Sequence, residues 1–234
     1  MKHLVRLMIM SSLALAVVVV ACGGGGDGTP PDEDPDPNLP GTFVPAQERG
    51  HFNRTFNPDR EPLPFCDGVA TADETGASSV SIATPLAGEQ NDCYSSNPPS
   101  SGWHLGVQRN VEVAPGAAIN IPPDPDVYPA DIEIPREAIP HILEHAGVFV
   151  GYHCADGDAA CADVVEQIEG IVNDRIDSND DRAVMARDSD LPEGTVGLAS
   201  WTRVDAFPYA DFTEARVVDF IGTHSCRVDA EGFC

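Results

Sequence analysis

Three side chains that bind metals or transfer protons lie within five residues of one another. They are His141, Glu144 and His145, and they directly precede the apolar run 148–152. On a helix the two histidines would lie one turn apart, with Cβ atoms about 6 Å from each other, and could share one metal ion. On a strand they would be about 13 Å apart, which is too far. The spacing therefore predicts a metal site only if this stretch is helical.

The flanking residues favour a short helix. Pro140 suits the first position of a helix, and Gly147 suits the residue just past its end. These limits predict a helix of about two turns that leads into a buried strand. Because a helix of two turns is marginal alone, packing must hold it in place.

A third histidine lies at the end of a loop. Residues 93–106 are rich in Ser, Pro, Asn and Gly, which form turns, and the loop contains Trp103 and His104. We predict that His104, His141 and His145 bind one metal ion, with Glu144 as a fourth ligand or as the partner that orients an imidazole. Imidazole ligands suit a transition metal such as zinc or copper. His153 and His224 are further candidate ligands.

Other uses of these residues remain open at this point. The histidines could instead be hydrogen-bonded structural groups. Residues 141–145 also match the His-x-x-Glu-His pattern of inverted zinc proteases, in which Glu144 would be the general base and the distant Glu214 a further ligand. A surface protein that binds a partner through Trp103 or Trp201 is the third alternative.

The amino terminus predicts export from the cytoplasm. A basic start is followed by an apolar run that ends at Cys22, so residues 1–21 fit a signal peptide rather than a spanning helix. The residues before Cys22 (Val-Val-Ala) resemble the lipobox of bacterial lipoproteins, which implies that Cys22 is lipidated. Gly23 follows the cysteine, and by the same resemblance this favours the outer membrane. We expect a cell-envelope protein held to the membrane by its lipid anchor.

The remaining chain divides by composition. Residues 22–40 are rich in Gly, Pro and Asp and predict a disordered tether. Residues 41–91 predict an irregular arm with short strands, and residues 92–234 predict the folded domain. The formal net charge is −25 at pH 7, a surface that repels nucleic acid.

Six cysteines follow Cys22, and an even number in an exported chain predicts disulfides. Proximity in the sequence favours three pairs, although other pairings remain possible. These pairs are Cys66 with Cys93, Cys154 with Cys161, and Cys226 with Cys234.

The carboxyl-terminal half predicts an α+β domain. The order is a strand at 148–153, a helix at 162–176, strands at 183–187 and 195–204, and a helix at 211–223 with Asp211 as its cap. Strands at 107–113 and 118–121 precede them. This order predicts a mixed or antiparallel sheet with two amphipathic helices, stabilised by disulfides.

Two motifs carry a family resemblance. The loop Asn97-Pro-Pro-Ser-Ser-Gly-Trp-His104 and the stretch His141-Ile-Leu-Glu-His-Ala-Gly147, with the elements after them, resemble the domain-of-unknown-function family numbered 3105. Trp103 replaces a residue that tends to be Pro in that family, and Ala146 one that tends to be Gly. The resemblance covers about residues 92–224. It implies the fold and the importance of the histidines and Glu144, but no activity.

Overall fold

The computed structural model describes residues 34–47, 50–52, 69–70, 80–81, 94–230 and 232–234. These residues form one mixed six-stranded sheet, three two-stranded sheets and three α-helices. The predicted α+β class with a mixed sheet is therefore confirmed. The predicted signal peptide, the lipidation site Cys22 and the cysteines Cys66 and Cys93 lie outside the described residues.

The central sheet combines parallel and antiparallel strands. In spatial order its strands are β1 (Thr42–Phe43), β12 (Arg203–Pro208), β11 (Thr195–Ser200), β9 (Val148–His153), β10 (Ala183–Arg187) and β8 (Asp126–Val127). β9, β10 and β8 run parallel, whereas β11 is antiparallel to both of its neighbours. The small sheets pair β2 (Gly50–Phe52) with β5 (Trp103–Leu105), β3 (Val69–Ala70) with β4 (Val80–Ser81), and β6 (Gln108–Ala114) with β7 (Ala117–Ile121).

The three helices are α1 (Ile139–Glu144), α2 (Ala159–Asn179) and α3 (Glu214–His224). α2 contains the predicted helix and is longer, because the Asp158 side chain caps its start by accepting from the Cys161 N–H. It ends at Asp180, which adopts a left-handed conformation. α2 joins β9 to β10, so these three elements form a β-α-β unit.

The stretch 93–106, predicted as a loop, contains the strand β5, and two further boundaries also differ from those predicted. α3 begins at Glu214 rather than near Asp211, because the Thr213 side chain supplies the cap by accepting from the Arg216 N–H. The expected strand 195–204 is two strands, β11 and β12, which pair as a hairpin around Trp201 and Thr202. Thr202 has a φ of 64° there. This left-handed conformation is uncommon for a β-branched residue, so the sequence does not predict the turn.

Both faces of the central sheet are buried. On β9, Val148 and Val150 pack with α2 and α3, whereas Phe149 packs with α1 and the β6–β7 hairpin. Burial on both faces explains why β9 is a continuous apolar run rather than an alternating one. The helix α1, which carries His141, therefore lies on the face opposite to α2 and α3.

The segment that precedes β1 contacts the domain. Arg203 is 1 % exposed, and its guanidinium donates to the carboxylate of Asp34 and the carbonyl oxygen of Asp36. Both residues belong to the stretch 22–40 that composition assigns to a tether. Because a buried guanidinium requires a counter-charge, Arg203 holds the end of that stretch in place.

Two of the three predicted disulfides are present, Cys154–Cys161 and Cys226–Cys234. The first joins the loop after β9 to the first turn of α2, and the second closes a ring at the carboxyl terminus. Among the described residues, no helix has both the length and the apolar character needed to cross a membrane.

Candidate metal centre

The helix that carries the central motif has six residues, close to the two turns predicted. α1 ends at Glu144, and His145 is the residue that caps it, with its N–H donating to the His141 carbonyl. The left-handed position after the cap belongs to Ala146 (φ 65°) rather than to Gly147. Gly147 is required for another reason, because a Cβ there would lie 2.7 Å from the Ile142 carbonyl oxygen. The turn at Ala146 and Gly147 therefore packs directly against α1, and this packing limits the orientation of His145.

The structure brings all four predicted residues together. The ring centroids of His104 and His141 lie 4.9 Å apart, and those of His141 and His145 lie 4.4 Å apart. The Glu144 carboxylate lies 3.0 Å from Nε2 of His104. All four residues are buried, with His104 and His141 at 0 % exposure. The four side chains therefore lie in one buried cluster, while metal binding itself stays a prediction.

A fourth histidine, His51 on β2, joins this cluster and was not predicted. β2 pairs in parallel with β5, and the register places His51 directly opposite His104. The His51 ring lies 4.8 Å from the rings of both His104 and His141. No spacing or periodicity in the sequence relates His51 to the motif, because the contact depends on a strand pairing between distant segments.

The ring nitrogens of two histidines are oriented by backbone carbonyls. Nδ1 of His104 lies 2.9 Å from the Gly102 oxygen, and Nδ1 of His141 lies 2.7 Å from the Leu105 oxygen. A carbonyl oxygen can only accept, so each Nδ1 carries the hydrogen, and Nε2 of the neutral ring has the lone pair that can accept a hydrogen bond or bind a metal ion. This is the arrangement that holds histidine ligands in metal sites.

The contact between His104 and Glu144 needs a positive charge. Nε2 of His104 makes no hydrogen bond to any residue that the structure describes, although Oε2 of Glu144 is 3.0 Å away. If Nδ1 carries the only hydrogen of a neutral ring, Nε2 and the carboxylate are both acceptors. Two acceptors at this distance require a proton or a metal ion between them.

His141 is held neutral. Burial, followed by the nearby His104, His145 and His51, lowers the pKa of His141 to about 3. Its Nε2 lies 3.0 Å from Nε2 of His145. Because Nδ1 of His141 already donates to Leu105, His145 must donate through its Nε2–H. A metal ion on His141 would replace this hydrogen bond or would bind His145 as well.

The carboxyl-terminal ring covers His145. Phe233 stacks on the His145 ring with centroids 4.1 Å apart and an interplanar angle of 22°. The Asp229 carboxylate accepts from the N–H groups of Phe233 and Cys234, and Arg182 donates to the His145 carbonyl. The Cys226–Cys234 disulfide therefore fixes the segment that lies against the candidate site.

The other candidate ligands lie elsewhere. Nδ1 of His153 faces the Leu191 carbonyl, and Nε2 of His224 faces the Pro40 carbonyl. Glu214, the distant residue of the hydrolase alternative, lies beside Gly170 and Asp174 of α2, on the face of the sheet away from α1. The structure therefore does not bring Glu214 to the cluster.

Three histidines have the geometry to hold one ion. The ligand atoms of His51, His104 and His141 all lie within 4.8 Å of one another. Nitrogen atoms that share a tetrahedral zinc ion at about 2.0 Å from it are about 3.3 Å apart, so a separation at the 4.8 Å limit within this trio would have to shorten by about 1.5 Å on binding. Glu144 and His145 lie on its border and could supply a fourth ligand.

One comparison with known proteins identified a family. The family described as Protein of unknown function (DUF3105) matches residues 88–232, which include His104, His141, Glu144 and His145 but not His51. A search of curated proteins and a search of solved structures each found no match. The chain belongs to the DUF3105 family of proteins of unknown function.

Proposed function

We propose that this protein is an exported lipoprotein that binds a transition metal ion in the cell envelope. The apolar amino terminus and the cysteine at position 22 support export and lipid anchoring, with the outer membrane as the site of attachment. The formal net charge of −25 supports partners other than nucleic acid. The metal site comprises His51, His104 and His141.

The observation that carries the proposal is the set of three imidazoles whose ligand atoms lie close together beside the Glu144 carboxylate. Two of the three imidazoles are fixed by carbonyls so that Nε2 points away from those carbonyls. Nε2 of His104 faces the Glu144 carboxylate without a hydrogen bond to a described residue. A divalent ion would neutralise this contact and would replace the hydrogen bond from His145 to Nε2 of His141. Three imidazoles suit zinc or copper.

Elemental analysis tests the proposal. The mature protein, purified without a histidine tag, should contain close to one zinc or copper ion per chain. The double variant His104→Gln and His141→Gln should contain none, because it lacks two of the three ligands. The variant His153→Gln, which removes a histidine outside the cluster, should retain the metal. A chain that binds no metal on titration, although it is folded, would contradict the proposal.

Metal-assisted hydrolysis is the second candidate, and Glu144 is the observation that favours it. Its Oε2 lies 3.0 Å from Nε2 of His104 and 3.7 Å from Nε2 of His51, where a carboxylate could accept a proton from water. A Glu144→Gln variant would separate the two functions. It should keep the metal in either case, and it should lose activity only if the protein is a hydrolase.

A further inference from the structure

The candidate site includes a segment that the family match does not cover. The N-terminal segment, residues 34–47 and 50–52, precedes the matched residues 88–232. It nevertheless crosses the domain from the buried Arg203 to the histidine cluster. Its first anchors are the ion pair of Asp34 with Arg203, the contact of the Pro40 carbonyl with His224, and the pairing of β1 with β12.

The middle of the N-terminal segment is bonded to the loop that carries His104. The Gln47 N–H donates to Oγ of Ser101 (2.9 Å), and the Gln47 side-chain oxygen accepts from the Ser95 N–H (3.0 Å). Ser101 is 1 % exposed, so this bond lies inside the domain. The path of the segment is therefore tied to the loop itself, and the two would move together.

The end of the N-terminal segment is positioned by a close contact between Gly50 and Trp103. A Cβ on Gly50 would lie 2.3 Å from the Trp103 ring, so only glycine allows the strand to come this near. The register of β2 and β5 places Gly50 opposite Trp103 and His51 opposite His104. The packing of Gly50 against Trp103 thereby sets the distance between His51 and His104.

We propose that the N-terminal segment completes the metal site, with His51 as its ligand and with Gly50 and Trp103 as positioning residues. This inference rests on the proposed function. His104 and His141 are fully buried and fixed by carbonyls, whereas the His51 side chain is 41 % exposed. His51 is thus the ligand on the solvent side, and its strand determines whether the ion has two or three imidazoles.

The test measures zinc affinity by competition and the visible spectrum of bound Co²⁺ in the full mature chain. The loss of a residue that only supports a metal ligand weakens metal binding about 10- to 100-fold. Because His51 is proposed as a ligand itself, His51→Ala should weaken zinc binding by at least this factor and should change the Co²⁺ spectrum. Gly50→Ala should weaken binding in the same direction with His51 intact. Gly170→Ala is the matched control, because a Cβ there has no atom within 4 Å, and it should bind as the wild type does.

A double variant isolates the contact between Gly50 and Trp103. Gly50→Ala combined with Trp103→Leu should bind zinc no more weakly than Trp103→Leu alone, since the smaller side chain leaves room for the new methyl group. Simple addition of the two losses would overturn the positioning role. Unchanged affinity in His51→Ala would overturn the inference and remove His51 from the proposed site, but metal binding by the protein would stand. A wild-type chain that binds no metal would overturn both.

Discussion

The chemistry of the site depends on which ring nitrogen of each histidine carries the hydrogen. The carbonyls of Gly102 and Leu105 decide this for His104 and His141. Both carbonyls belong to the stretch around β5, so one short strand with its preceding turn orients two imidazoles and carries one of them. The orientation of both imidazoles is therefore fixed by backbone atoms, which side-chain substitutions elsewhere leave in place.

Gly147 offers a prediction on stability. A Cβ at this position would lie 2.7 Å from both the carbonyl oxygen and Cγ2 of Ile142, so Gly147→Ala should lower the free energy of unfolding by about 1–3 kcal/mol. Gly170→Ala, in the exposed middle of α2, should instead raise it by about 0.5–1 kcal/mol, because alanine favours the helix. Urea denaturation of both variants checks the prediction. Equal effects of the two substitutions would contradict it.

Single residues also show what the sequence could reveal about the site. His141, Glu144 and His145 are close in sequence, and a helix brings them together by its own geometry. His104 could be suspected because the sequence predicts a loop there, in which two successive ring side chains are unusual without a use. The structure instead places it on β5, fully buried. His51 could not be predicted, because only the pairing of β2 with β5 brings it to the cluster, and such pairing between distant segments has no local signal.

The carboxyl-terminal ring is the element that covers the candidate site, and its disulfide can be tested directly. The double variant Cys226→Ser and Cys234→Ser should lower the free energy of unfolding by about 2–3 kcal/mol, because the disulfide restricts the unfolded chain. It should also release Phe233 from the His145 ring.

Nuclear magnetic resonance of the His145 ring protons would detect that release. The protons should lose the ring-current shift that a stacked phenyl group produces. Phe233→Leu is the matched control, because it should remove the same shift while the disulfide preserves stability. If the shift persists in the double serine variant, Phe233 stays on His145 without the disulfide, and the prediction is wrong.

Elements that depend on local pattern were predicted well, and those that depend on special backbone conformations were not. The apolar run of β9 and the helical period of α2 were sufficient to place both elements. The hairpin between β11 and β12 was missed, because its turn is made by Trp201 and Thr202 without a glycine. The start of α3 was predicted at Asp211, but the helix begins at Glu214, because the side chain of Thr213 is the one that caps it.

The molecule as a whole is a sheet buried on both faces, and this burial encloses titratable groups. Burial, together with the nearby Arg227 and Arg203, lowers the pKa of His224 to about 4, although its hydrogen bond to Pro40 acts in the opposite direction. Burial raises the pKa of Asp188 to about 6, although Arg136 partly opposes the shift. The two groups should therefore affect stability with opposite dependence on pH.

The sign for His224 follows from proton uptake. Between pH 6.5 and about 4 the unfolded chain binds a proton on this histidine and the folded chain does not, so acid favours unfolding. The stability that neutral His224 contributes is complete above pH 6.5 and is lost as the pH falls towards 4. The difference in free energy of unfolding between the wild type and His224→Gln should therefore shrink by about 1.4 kcal/mol per pH unit over this range.

Asp188 provides the comparison of opposite sign. The folded chain keeps the Asp188 proton up to about pH 6, whereas the unfolded chain releases it near pH 3.9. The wild type should therefore gain stability relative to Asp188→Asn as the pH falls from 6 towards 4. Urea titrations of the metal-free wild type and both variants at pH 7, 6, 5 and 4.5 would measure the two slopes. Each slope describes how the difference in free energy of unfolding between the wild type and one variant changes with pH, so changes in surface repulsion cancel. Two slopes of the same sign would contradict the opposite pKa shifts of His224 and Asp188.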